Sequence, residues 1–232
     1  MKGPVEIRVL ASNGVKAALE ALAPAFERKS QTRLDLRFDL TANLMRRIEA
    51  GEPFDLAIVA DAAADRLAAQ GKIDPASRAM IARSGVGIGI RKGAPRADIG
   101  TPDALERALL EAESISWARE GASGVYFAEL LERMGIAEQM KPKVVLAASG
   151  AEVGRLLAGG GVRYGALFVN ELMAAPGVEV LGPLPPALQR FTAFDAAVAS
   201  GSKNAAAAKA LVEFLTAPSA GAVFRSKGQE PG

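Results

Sequence analysis

Short apolar runs that stop at small or polar turn residues, each followed at once by helical periodicity, recur along the chain, and this alternation restricts the fold more than any other feature. Val5 to Leu10 is an extended, apolar-rich run that ends at the turn-forming cluster Ala11-Ser12-Asn13-Gly14. From Val15 the apolar positions Val15, Leu19, Leu22 and Phe26 fall at spacings of four, three and four, which predicts one face of a helix running to about Lys29. The pattern then repeats: Leu34 to Phe38 extended, Thr41-Ala42-Asn43 as a cap, Leu44 to Ala50 helical, Phe54 to Val59 extended, and Asp61 as the N-cap of another helix. Such a succession predicts an α/β fold with a mostly parallel sheet covered by helices on both faces.

Gly85 to Ile90 alternates glycine with β-branched residues and is broken by Arg91-Lys92-Gly93-Ala94-Pro95, which reads as a crossover strand into a second α/β series. That series comprises a helix start at Thr101-Pro102-Asp103, a strand over Ser114 to Ala118, a helix from Ser123 to Met134, a strand over Val144 to Ala147, a helix from Ala151 to Leu157 and a strand over Tyr164 to Val169. Gly182-Pro183-Leu184-Pro185-Pro186 closes it, Phe191 to Ala199 reads as a second crossover strand, and Asn204 to Leu215 as an alanine-rich helix. The expected organisation is two lobes, 1–84 with 195–232 and 85–194, joined by hinge strands at about 85–91 and 191–199. A length of 232 residues suits two modest lobes at about 150 residues per domain. Gly85, Gly87 and Gly89 are spaced by two, wrong for a dinucleotide fingerprint, and Gly159-Gly160-Gly161 lacks the Lys-Ser/Thr of a P-loop.

The chain has no cysteine and no histidine, so Ser-His-Asp triads, Cys-His pairs, Cys/His zinc sites and disulfides are all excluded. No metal or other cofactor is expected. Lys plus Arg at 28 against Asp plus Glu at 26 leaves +2, with no basic run for a phosphate backbone, so nucleic acid is not an expected partner. No apolar run approaches the roughly 20 residues of a membrane span. The N-terminal MKGPVEIRVLAS has no apolar export core. The expectation is a monomer that is cytoplasmic as written, or periplasmic if a leader has been removed.

Four places share one design, in which a strand ends, small or polar residues follow and a helix starts: Ser12-Asn13-Gly14, Thr41-Ala42-Asn43, Ala122-Ser123-Gly124 and Ser149-Gly150-Ala151. The first N–H groups of a helix lack intrahelical acceptors and sit at the positive end of the peptide dipole, so small residues there let an anion reach the backbone. The same residue types also cap ordinary helices. Arg46 and Arg47 share a helix with Glu49, which reads as a solvated face. Asp61 and Asp65 are four apart, but an N-cap explains Asp61 more simply than a metal pair.

The succession IRVLASNGVKAALEALAPAFE, NLMRRIEAGEPFDLAIVAD, GASGVYFAELLERMGI, YGALFVNEL and AKALVEFLTAPSAGAVF resembles the molybdate-binding solute receptors of ABC importers over nearly the whole chain. The stretch from Ile48 to Asp61 is its most specific part. The resemblance implies a two-lobed type II periplasmic-binding-protein fold with two crossover hinge strands, an anion held by backbone N–H groups and hydroxyls in the cleft between lobes, and an ABC permease as partner. It places ligand contacts at Gly14, flanked by Ser12 and Asn13, at Thr41 or Ala42, at the N–H of Ser123 and at about Val153. It places Phe168 where many such receptors carry a tyrosine. Glycine and phenylalanine at 14 and 168 remove two hydroxyl donors. A larger organic anion could instead use Asn13, Thr41, Asn43, Ser123, Tyr126 and Asn170, with Arg119 as a planar fork for carboxylate, unless Arg119 and Glu120 are a solvated pair.

A binding protein is the expected function. Aconitate isomerases are similar to the same receptors, and this likeness keeps an enzyme as the alternative. Moving a double bond within a tricarboxylate needs a base, which without histidine is a carboxylate, a lysine or a tyrosine. Glu120, three residues before Ser123, is the candidate. A regulator's effector domain would carry a helix-turn-helix module ahead of it, and none precedes Val5.

Overall fold

The computed structural model describes residues 5–232. The start of the first lobe at residue 1, and Met1 to Pro4 of the segment read for an export signal, lie outside the described residues. The chain divides into two units, Met1–Arg83 with Thr192–Gly232, and Ser84–Phe191.

The first unit opens with β1 (Glu6–Ser12), α1 (Lys16–Ser30), β2 (Arg33–Asp39), α2 (Thr41–Glu49), β3 (Leu56–Ala60) and α3 (Asp61–Ala69), after which β4 (Ala79–Arg91) runs into the second unit. There follow α4 (Pro102–Glu111), β5 (Ile115–Ala118), α5 (Ala122–Arg133), α6 (Ala137–Met140), β6 (Val144–Ala147), α7 (Gly150–Ala158), β7 (Tyr164–Phe168), α8 (Val169–Ala174) and β8 (Val178–Pro183). The chain returns through β9 (Phe191–Val198) to α9 (Ala205–Thr216), α10 (Pro218–Ser226) and β10 (Glu230–Pro231).

In the first unit the strand order is β2-β1-β3-β9-β4, with β10 against β4. β1 is parallel to β2 and β3, whereas β9 runs antiparallel to β3. Every residue of β3, Leu-Ala-Ile-Val-Ala, is buried, as a strand covered on both faces requires. α2 turns Leu44, Met45 and Ile48 inward onto a core with Leu10, Val59 and Leu67, and its charged residues point away. In the second unit β5 lies between the parallel strands β6 and β7, and β4 adds antiparallel to both β7 and β8. Val153 and Leu157 of α7 pack there with Leu167 and Leu172.

The predicted elements are present, with shifted ends. The first helix begins at Lys16 rather than Val15, because Asn13–Val15 forms a 3-10 turn capped by Ser12, whose Oγ accepts from the Gly14 N–H at 3.3 Å. The crossover strand read at Gly85 to Ile90 is the C-terminal half of the longer β4, which begins at Ala79. Sequence periodicity marks neither α8 nor β8: α8 has six residues, too few for periodicity to show, and β8 runs into Gly182-Pro183 at the start of the proline-rich segment that closes the second series.

Candidate anion-binding site

Parallel pairing decides what can meet in the first unit. Ser12 at the end of β1 is in register with Asp39 at the end of β2, so Ser12, Asn13 and Gly14 share one sheet edge with Thr41, Ala42 and Asn43. β3 ends on the same edge and leads into α3.

Side chains at this edge act differently from the sequence reading. Thr41 is the first residue of α2, not its cap: Leu40 holds the N-cap position in an extended conformation and no side chain caps the helix. Asn43 donates from Nδ2 to Asp39 Oδ1 at 2.6 Å and accepts from Arg46, so its amide is committed within the loop. Among the described residues nothing accepts from the N–H groups of Thr41, Ala42 and Asn43, and the first helical bond is Leu44 N–H to Leu40 C=O. Arg47 is no solvated bystander. It grips Glu52 through two bonds of 2.6 and 2.7 Å and lies 3.5 Å from Asp39. Asp61 is likewise the first helical residue, after an N-cap at Ala60, and its carboxylate accepts from the Ala62 N–H.

Gly14 has a partner that the sequence reading missed. A Cβ there would stand 2.4 Å from Cζ of Phe194, a fully buried ring on β9. The hydroxyl implied by resemblance at this position is therefore absent for a steric reason, since the ring fills its space. No local signal links positions 180 residues apart.

In the second unit the C-terminal ends of β5, β6 and β7 form the corresponding edge, with Ala118 in register with Ala147. Arg119 and Glu120 follow β5 and are exposed; the Arg119 N–H donates to Ala147 C=O at 3.0 Å, and its guanidinium has no acidic partner among the described residues. α5 starts after an N-cap at Gly121 with no side-chain cap, and Ser123 in its first turn is buried. A Cβ on Gly124 would fall 2.1 Å from Ala118 C=O, so only glycine lets this first turn sit so close to the strand end. Here again no described residue accepts from the N–H groups of Ala122, Ser123 and Gly124.

α7 differs. Ser149 caps it through Oγ to the Glu152 N–H at 3.2 Å, and Glu152 reaches back to the Ala148 N–H at 2.7 Å, a reciprocal box. Val153 is fully buried with its N–H on Ser149 C=O, leaving the N–H groups of Gly150 and Ala151 at this mouth. Phe168 is buried at the N-cap of α8. Tyr126 is not available as a donor: its hydroxyl donates to Leu188 C=O at 2.5 Å and accepts from Arg133. Asn170 is 2% exposed.

Glu171 was missed as well. It sits on α8, accepts from the Phe168 N–H, and retains intermediate exposure, yet its apolar surroundings push its carboxyl up to about 7. Position alone gave a hint, since it lies three residues past a strand end, where a glutamate reaches back to the N-cap N–H. Among the described residues no group of acidic side chains is suited to hold a metal ion, and no helix is long and apolar enough to cross a membrane.

A mixed α/β chain with parallel strands ending at uncapped helix starts belongs to a known class. The family of bacterial extracellular solute-binding proteins matches residues 7–230, and the chain belongs to that family. Its fold is that of the periplasmic binding proteins: the periplasmic molybdate-binding protein of Azotobacter vinelandii superposes with a TM-score of 0.81 over 96% of this chain and 98% of the other, at 17% identity. Among relatives, the aconitate isomerase of a Pseudomonas species is 29% identical over 97% of this chain and 87% of its own length. The molybdate-binding protein ModA of Escherichia coli is 25% identical over 96% of this chain and 88% of its own length.

Proposed function

We propose that the protein is a solute receptor that captures a small anion for an ABC-type importer, using helix starts at the strand ends of its units. The observation that carries this reading is the pair of bare helix starts, α2 in one unit and α5 in the other, each at the C-terminal edge of parallel strands and each lacking a side-chain cap. Ordinary helix capping accounts for Ser12 and Ser149 and fails to account for these two. Between ligand chemistries, the space filled by Phe194 behind Gly14, the hydrophobic Phe168 and the unpaired fork of Arg119 favour a di- or tricarboxylate over a compact metal oxyanion. A thermal-shift panel of molybdate, tungstate, sulfate, citrate, aconitate and malonate tests both points. Carboxylates should raise the melting temperature most. Shifts by molybdate and tungstate alone would reverse the ligand class, and no shift by any anion would defeat the reading.

A second reading, an isomerase acting on a tricarboxylate, is favoured by the 29% identity to an aconitate isomerase. Proton NMR of purified protein with cis-aconitate decides it: appearance of the trans isomer supports turnover, and its absence removes the enzyme.

A further inference from the structure

β2, with the sequence Arg-Leu-Asp-Leu-Arg-Phe-Asp, ends the first unit's sheet, and among the described residues it pairs with β1 alone. The Arg33 N–H donates to Val5 C=O at 2.8 Å on the β1 side. Peptide groups alternate in direction along a strand, so Asp35, Arg37 and Asp39 also turn theirs toward β1, while Leu34, Leu36 and Phe38 turn theirs outward. Glu27 Oε1 covers the Leu34 N–H at 2.9 Å; among the described residues nothing accepts from the N–H groups of Leu36 and Phe38. An open strand edge of this kind is a template for one more strand.

The side chains name the strand that fits. Leu34 and Leu36 stand on the α1 side with Leu19 and Leu22, and the Phe38 ring lies there too, 5.6 Å from Lys16 Nζ. The charged residues occupy the other side, where Asp35 meets Arg8 at 3.0 Å and Asp39 lies 3.5 Å from Arg47. Laid antiparallel on a second copy about Leu36, Arg33 faces Asp39, Leu34 faces Phe38, Asp35 faces Arg37 and Leu36 faces itself. Each charge meets its opposite and each apolar residue meets another. A slip of two residues in either direction sets arginine on arginine and aspartate on aspartate, a slip of one sets charged on apolar side chains, and in-register parallel pairing sets like on like. The outward peptide groups belong to Leu34, Leu36 and Phe38, so the matched register makes Leu36 a hydrogen-bonded pair with its own copy, flanked by Leu34–Phe38 pairs. We propose that the outer edge of β2 is a self-association surface, where two copies of this chain join antiparallel about Leu36 into one continuous sheet. The contact is isologous and closes as a dimer. Arg33 is exposed and makes no ion pair among the described residues, which leaves it free for Asp39 of the second copy. One strand pair is smaller than a standard interface, and the Leu34 N–H must leave Glu27, so the dimer is reversible and the monomer expected from sequence is its dilute form.

The test is sedimentation velocity of the full chain between about 5 and about 500 µM, a span suited to a weak interface. Wild type should pass from monomer toward dimer as concentration rises. Arg33→Glu places a like charge opposite Asp39 on both sides of the axis and removes no ion pair within its own chain, so it should need about tenfold more protein to associate. The chain has no cysteine, so one introduced thiol reports the register. Leu36→Cys sets the two Cα atoms about 5.5 Å apart, within disulfide reach, whereas Leu34→Cys sets them roughly 14 Å apart. Oxidation at high concentration should link the first variant and not the second. Hydrogen exchange of wild type, which needs no variant, should show the Leu36 and Phe38 amides slowing as concentration rises. A chain that stays monomeric throughout, a dimer indifferent to Arg33→Glu, or equal linking at positions 34 and 36 overturns the proposal, and each of these leaves the anion-receptor reading untouched.

Discussion

Restoring a hydroxyl at position 14 is the most discriminating perturbation of the first unit's loop edge. In Gly14→Ser the new Cβ would stand 2.4 Å from Cζ of Phe194 and 2.9 and 3.2 Å from its two Cε atoms, against an ordinary carbon contact of about 3.5 to 4 Å. The overlap exceeds an ångström, and neither partner can retreat easily. Phe194 is fully buried. The Gly14 backbone is held on both sides, its N–H on Ser12 Oγ at 3.3 Å and its C=O by Gln229 Nε2 at 3.2 Å. Overpacking costs about 1 to 3 kcal/mol, and a site held this way belongs at the upper end. At about 2 to 4 °C per kcal/mol for a chain of this size, the melting temperature should drop by about 6 to 12 °C. Phe194→Leu alone should cost about 1 to 2 kcal/mol for the space it leaves. Combined with Gly14→Ser it should recover at least half of the loss, a coupling of about 1 kcal/mol or more in a double-mutant cycle followed by thermal and urea unfolding. The double variant should also bind molybdate about tenfold more tightly, having regained one donor to a charged ligand. A single variant melting within about 2 °C of wild type, or strictly additive losses, would show that Phe194 does not exclude a side chain at 14.

Three further outcomes follow from the same geometry. Thr41→Ala should change stability by less than about 0.5 kcal/mol because Thr41 caps nothing, whereas Ser149→Ala should cost about 1 kcal/mol; urea titrations reversing that order would contradict the assignment of caps. Arg78 donates to Asp195, whose side chain is 7% exposed, and to Asp65, whose side chain is 69% exposed. Arg78→Ala should therefore cost about 3 kcal/mol by stranding the buried carboxylate, and Asp65→Ala under about 1 kcal/mol; equal effects of the two would refute the role of burial. Because the Glu171 carboxyl is raised in the folded state, that state binds more protons than the unfolded chain between about 4.5 and 7, so stability should fall as pH rises through this window. Urea unfolding at several pH values should show Glu171→Gln relieved of that fall, by at most about 3 kcal/mol, and an unchanged slope would place the titration elsewhere.

Elements were legible in this sequence wherever a face or a period was long enough to repeat. Leu19, Leu22 and Phe26 lie buried on α1, and Leu44, Met45 and Ile48 on α2, because a helix of two turns or more must turn its apolar stripe to the sheet. The six residues of α8 give no such repeat, and Glu171 went unseen with them. Loop positions of the site were legible for a related reason: a strand end followed by small residues is a chemical pattern, and parallel strands bring such ends to one edge by topology. What those loops do was not legible. Whether Thr41 caps α2 or opens it turns on one residue of register, set by Asp39, whose carboxylate takes the Leu40 N–H and the Asn43 amide and leaves the helix start bare. Ser149 caps α7 because a glutamate three residues on closes the box, a pairing that α2 lacks, with Leu44 in that place. Gly14 depends on a ring 180 residues away, delivered by the antiparallel return of β9 beside β3. Sequence periodicity thus locates the edges where an anion can be met, while the choice among anions rests on single side chains whose spacing carries no period at all.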